Sequence, residues 1–86
     1  MKVKEQTAPT TDNTWGEGCK EVAVILTTVS TDDTCFIDVY GNDDSFLFGM
    51  SLSCTSRESA ERVFLEITSS QDVRVSDLHA KGFEEY

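Results

Sequence analysis

Three cysteines, one histidine and two Asp-Asp pairs are the residues of this chain with chemistry to offer. Cys19, Cys35 and Cys54 stand 16 and 19 residues apart, with no CxxC or CxC pair among them. A tetrahedral zinc site takes two close-spaced ligand pairs delivered by tight turns. The spacing therefore points to thiols used as small apolar core side chains. His79 is the one residue able to serve as general base beside a Cys or Ser nucleophile, and nothing in the spacing assigns it an orienting partner. Asp32-Asp33 and Asp43-Asp44 lack the alternate ligands, central Gly and distal Glu of a calcium loop. Trp15-Gly16-Glu17-Gly18 has neither the following strand-to-helix step nor the Lys of a phosphate cradle. The expectation is a protein that is not an enzyme and holds no cofactor or metal.

The elements that would position these residues are legible from periodicity. Glu21–Ser30 is rich in β-branched residues, Cys35–Tyr40 alternates, and Ser45–Cys54 sets Phe46, Phe48, Met50, Leu52 and Cys54 on one face. Asp-, Asn- and Gly-rich connectors, Thr31–Thr34 and Gly41–Asp44, suit hairpin turns between these three strands. Thr55-Ser56-Arg57-Glu58 fits a capping box, and Ala60, Val63, Phe64 and Ile67 then form one apolar stripe of a helix. Val73 and Val75 alternate with Arg74 and Ser76, as in a further strand. Residues 1–18 are polar and broken by Pro9, which reads as a flexible arm with Trp15 as its one large apolar anchor. The expected fold is α+β: a single domain over 19–86, with an antiparallel three- to four-stranded sheet in the order β-β-β-α-β and one helix on one face.

Charge narrows the partner class. Sixteen acidic residues against seven basic ones leave a net charge of −9 over 86 residues. Such a chain does not bind nucleic acid or an anionic membrane directly by charge, because each phosphate contact needs a cation. Leu, Ile, Val and Phe together make up 21 residues, enough for a small folded core. No stretch approaches the length of a membrane span, and neither an apolar leader nor a paired cysteine pattern is present, so a soluble protein of a reducing cytoplasm is expected. The excess is uneven: residues 20–54 hold Glu21, Asp32, Asp33, Asp38, Asp43 and Asp44 against Lys20 alone. Asp in turns bonds its own backbone, which accounts for Asp32, Asp33, Asp43 and Asp44 without any function. Asp38 is different, because Asp is depleted inside strands and its same-face neighbours Phe36 and Tyr40 are aromatic. Either that face is turned outward as an acidic and aromatic contact surface, or it lies under the helix and Ile37 and Val39 face outward.

In size, acidity, polar N-terminal stretch and element order, the chain resembles the small phage-encoded anti-defence proteins, of the anti-CRISPR and DNA-mimic anti-restriction kind. The resemblance implies a non-catalytic inhibitor in the host cytoplasm, monomeric or homodimeric, that binds a Cas effector complex or another basic nucleic-acid-binding protein. The partner-binding residues expected from the charge pattern are Asp32, Asp33, Asp38, Asp43 and Asp44, with Phe36 and Tyr40. Alternative readings are an immunity protein covering a nuclease toxin, and a small-ligand sponge walled by Trp15, Phe36 and Tyr40.

Overall fold

The computed structural model describes residues 1–29, 34–41 and 48–85. Strands β1 (Lys2–Pro9), β2 (Glu21–Thr28), β3 (Cys35–Gly41) and β4 (Gly49–Cys54) are followed by helices α1 (Arg57–Thr68) and α2 (Val75–Ala80) and a two-residue strand β5 (Glu84–Glu85). The sheet order is β1-β2-β3-β4-β5 with every neighbouring pair antiparallel. This is the expected α+β architecture with α1 laid over one face, extended by a strand at each edge. The sequence-based turns at 31–34 and 41–44, and the start of the third strand at 45–47, fall largely outside the described residues.

Two elements differ from expectation. Residues 1–18 are not an arm. Lys2–Pro9 pairs with β2 along its length, from Pro9 opposite Glu21 to Lys2 opposite Thr27, with a bulge between Lys2 and Lys4. The polar composition of β1 reflects an edge strand whose charges and terminal Pro9 discourage pairing with other chains. The second difference is at Val73–Ser76. Val73 donates its amide to the Pro9 carbonyl at 2.9 Å, and Val75 opens α2, where Val75 and Leu78 bury one face of the short helix. The alternation of Val73 and Val75 comes from two contacts with the core, one before the helix and one in its first turn.

The core lies between the sheet and the helices. Val22, Val24 and Leu26 of β2, Ile37 and Val39 of β3, and Met50 of β4 are fully buried. They join Ala60, Phe64 and Ile67 of α1, Val75 and Leu78 of α2, and Trp15 and Phe83 in one cluster. Trp15 is 1% exposed, meets Phe48 edge-on with ring centroids 5.5 Å apart, and donates its indole N–H to the Val73 carbonyl at 3.0 Å. A wall of a ligand site on the sheet is therefore not its place: it closes this protein's own core. Gly41 permits that packing, since a Cβ there would come within 2.6 Å of the Trp15 carbonyl oxygen.

Around Trp15 the segment from Pro9 to Asp12 is clasped to Asp72–Val75. Thr10 donates its hydroxyl to the Val73 carbonyl. Thr11 donates its amide to Asp72 Oδ1 at 2.7 Å and its hydroxyl to Oδ2 at 3.0 Å. Asp12 in turn accepts the Val75 amide at 2.9 Å. These bonds satisfy backbone donors that a loop would otherwise leave to water. They hold the start of the chain where sequence composition reads disorder.

Candidate functional site: the open face of the sheet

Alternation along β3 decides which face the helix covers. Cys35, Ile37, Val39 and Gly41 are buried while Phe36, Asp38 and Tyr40 are half-buried. Every buried residue of the helices and of the Trp15 turn belongs to the cluster on the Ile37 and Val39 side. Among the described residues the opposite face carries no covering element, and Phe36, Asp38 and Tyr40 lie on it together. Asp32, Asp33, Asp43 and Asp44 lie outside the described residues.

Strand register builds the rest of this face. Glu5 stands opposite Ile25, Ile25 opposite Asp38, Asp38 opposite Ser51, and Ser51 opposite Glu84. One transverse row thus crosses all five strands and carries a carboxylate on every second one, with strand spacings that set successive carboxylate positions about 10 Å apart. The flanking rows place Phe36 between Thr27 and Ser53, and Tyr40 between Ala23 and Gly49. The face is a carboxylate row with one aromatic ring to each side of its centre. Glu5 and Glu84 were not among the residues expected from sequence, because both depend on edge strands that composition hides. Only the register brings them into line with Asp38.

Most of the cations are engaged away from this face. Lys4 and Arg57 both reach Glu61, at 3.0 and 3.9 Å, Arg62 reaches Glu58 at 3.7 Å, and Lys81 reaches Glu66 at 2.7 Å. Arg74 bonds Asp72 at 2.8 Å. Among the described residues, five of the seven basic side chains are bound to carboxylates of α1 or the clasp, while Lys2 pairs with Glu5 of the row itself at 2.6 Å. Hydrogen bonding and charge from Lys4 hold the Glu61 carboxyl below its ordinary value, and Lys81 does the same for Glu66. Each exposed pair contributes little to stability, about 0–1 kcal/mol. Their consequence is spatial: most of the positive charge is consumed on the helix side and at the clasp.

His79 lies on α2, not in a strand, and faces Glu85 with Nε2 to Oε2 at 3.6 Å. The three cysteines are buried thiols, and among the described residues no group of three or more His, Cys, Asp or Glu side chains is placed to hold a metal ion. A cleft of about 470 Å³ opens between α1 and α2, lined by Ile67, Val73, Leu78, Arg74 and Lys81. Its two cations are already bonded to Asp72 and Glu66, so a small anion would have to displace protein carboxylates to use them. No family model, curated protein or solved structure matches the chain.

Proposed function

We propose that this protein is a non-catalytic inhibitory binding protein that docks the open face of its sheet on the basic nucleic-acid-binding surface of another protein. The observation that carries this reading is the face itself: Phe36 and Tyr40 flank a row of Glu5, Asp38 and Glu84, on a surface opposite the one that α1 covers. Aromatic rings supply contact area at an interface, and carboxylates supply complementarity to a partner built to neutralise phosphates. A net charge of −9 steers such an encounter and repels nucleic acid itself. The proposed setting is the cytoplasm of a host cell whose nucleic-acid defence complex, a Cas effector or a restriction enzyme, is the partner. No helix among the described residues is long and apolar enough to cross a membrane.

The test is binding to purified defence complexes of this class, with DNA or guide RNA as competitor. Binding should be competitive with nucleic acid and weaken as salt rises toward physiological strength, where the Debye length falls to about 8 Å. The triple variant Glu5→Gln, Asp38→Asn, Glu84→Gln keeps side-chain shape and should weaken binding at least tenfold. Adding Asn at Asp32, Asp33, Asp43 and Asp44 measures what those four carboxylates contribute. Affinity unchanged in the triple variant sinks the proposed docking face.

A further inference from the structure

The three thiols are not equivalent. Cys19 donates its thiol to the Glu21 carbonyl at 2.9 Å and lies beside Gly41, at one end of β3. Cys35 begins β3 at the other end, six residues away, which at about 3.4 Å per residue is roughly 20 Å. Cys54, the last residue of β4, stands directly opposite Cys35 in the β3–β4 register. Directly opposed residues of an antiparallel pair have Cα atoms about 4.5 or 5.5 Å apart, and both values fall within the roughly 4.4–6.8 Å that a disulfide accepts. Alternation puts both side chains on the same, core-facing side, so their Cβ atoms project together, about 4.5–5.5 Å apart against the 3.5–4.5 Å of a disulfide. The remaining adjustment is under about 1 Å, and it falls at the last rung of the pair, where the strands end.

We infer that Cys35 and Cys54 form an oxidisable site, a cross-strand thiol pair that closes to a disulfide when the protein meets a small-molecule disulfide oxidant. The order of the reaction follows from the exposure of the two residues. Cys54 is 8% exposed and Cys35 1%, so Cys54 is the more accessible of the two and the one to react first. As thiolate it attacks the oxidant, forming a mixed disulfide and releasing one small thiolate. Cys35, losing its proton, then attacks the Cys54 sulfur and expels the second small thiol. Two protein thiols are oxidised and one small disulfide is reduced to two thiols. Burial pushes the Cys54 thiol up from its ordinary value, and the nearby Cys35 pushes it further. Less of the thiol is therefore ionised near neutral pH, and the pair reacts slowly even with oxidant in excess. Closure staples β3 to β4 at the rung next to Phe36 and Ser53, which face the open side of the sheet. The site holds whether or not that face docks a partner.

Oxidised glutathione is the probe, applied to the folded protein at mildly alkaline pH, followed by alkylation of the remaining thiols and mass analysis. The expected product is a monomer lighter by about 2 Da before alkylation, with one alkylated cysteine, Cys19, and a linked pair of peptides carrying Cys35 and Cys54. Its melting temperature should exceed that of the reduced protein by roughly 10 °C or more, and dithiothreitol should return it. Cys19→Ser should give the same product. In a urea-unfolded sample, pairs that include Cys19 should appear as well, showing that the folded sheet selects the pair. Disulfides of the folded protein that involve Cys19, disulfide-linked dimers as the main product, or three thiols that stay reduced while the unfolded chain oxidises would each overturn the inference.

Discussion

Asp72 and Asp12 carry the residue-scale argument, because they convert a polar N-terminal segment into part of the fold. The Thr11 amide bonds Asp72 directly, and with the Thr11 hydroxyl and Arg74 it outweighs burial and lowers the Asp72 carboxyl below its ordinary 3.8. At Asp12 burial pushes upward, but the amides of Val75 and Thr14, the Thr14 side chain and Arg74 together leave it below 3.8 as well. A carboxyl whose value is lower in the folded than in the unfolded chain stabilises fully above its unfolded value, and that stabilisation is lost as pH falls through the folded one. The clasp should therefore act at neutral pH and fail as pH drops below about 4. Thermal melts of the wild type and Asp72→Asn should differ most near pH 6, with the variant lower, and converge as the carboxyl protonates; a constant gap across the acid range would contradict the clasp. None of this was legible in the sequence, where Thr10, Thr11, Asp12 and Asp72 are ordinary loop residues separated by about sixty positions. Phe36, Asp38 and Tyr40 were legible as one face because a strand alternates with period two. Which face it was, and that Glu5 and Glu84 share it, required tertiary pairing.

At the scale of elements, α1 shows how far local signals reach. The stripe Ala60, Val63, Phe64 and Ile67 identified the helix, and Ala60, Phe64 and Ile67 are its buried residues. The start is displaced by one residue from the capping box. Ser56, not Thr55, is the N-cap, its hydroxyl accepting the Ser59 amide at 3.2 Å. Thr55 is exposed and precedes the cap, while Glu58 sits in the first turn, where its charge favours the helix dipole and it pairs with Arg62. Two adjacent hydroxyl residues offer the same local capping chemistry, and the choice follows from where β4 ends at Cys54 and how the stripe must meet the sheet. Ser56→Ala should cost about 1 kcal/mol of unfolding free energy, whereas Thr55→Ala should lie within about 0.5 kcal/mol of wild type. A larger loss for Thr55→Ala than for Ser56→Ala in chemical denaturation would return the cap to Thr55. The edge strands mark the limit of such reading: β1 has the composition of an arm and β5 only two residues, so their strand character comes from the neighbours they pair with.

For the whole molecule, the deciding quantity is how a net charge of −9 is distributed over a body only 38 by 22 by 19 Å. At about 10 mM salt the Debye length is about 30 Å, so nearly all the carboxylates repel one another, whereas at about 150 mM it is about 8 Å and only neighbours interact. Added salt also weakens the ion pairs of the helix side, but those are exposed and contribute little each. The melting temperature should therefore rise between these two salt concentrations, and a fall would mean that the ion pairs outweigh the repulsion. The triple variant Glu5→Gln, Asp38→Asn, Glu84→Gln should have a flatter salt dependence and, at low salt, a melting temperature at or above that of wild type, even though it gives up the Lys2–Glu5 pair. Asp38 occupies a strand interior, where Asp is disfavoured. A variant that folds as well or better while losing the partner separates the two roles: the carboxylate row would then be a cost to folding retained for docking. A variant that melts much lower at every salt concentration would place the row in the folding of the sheet instead.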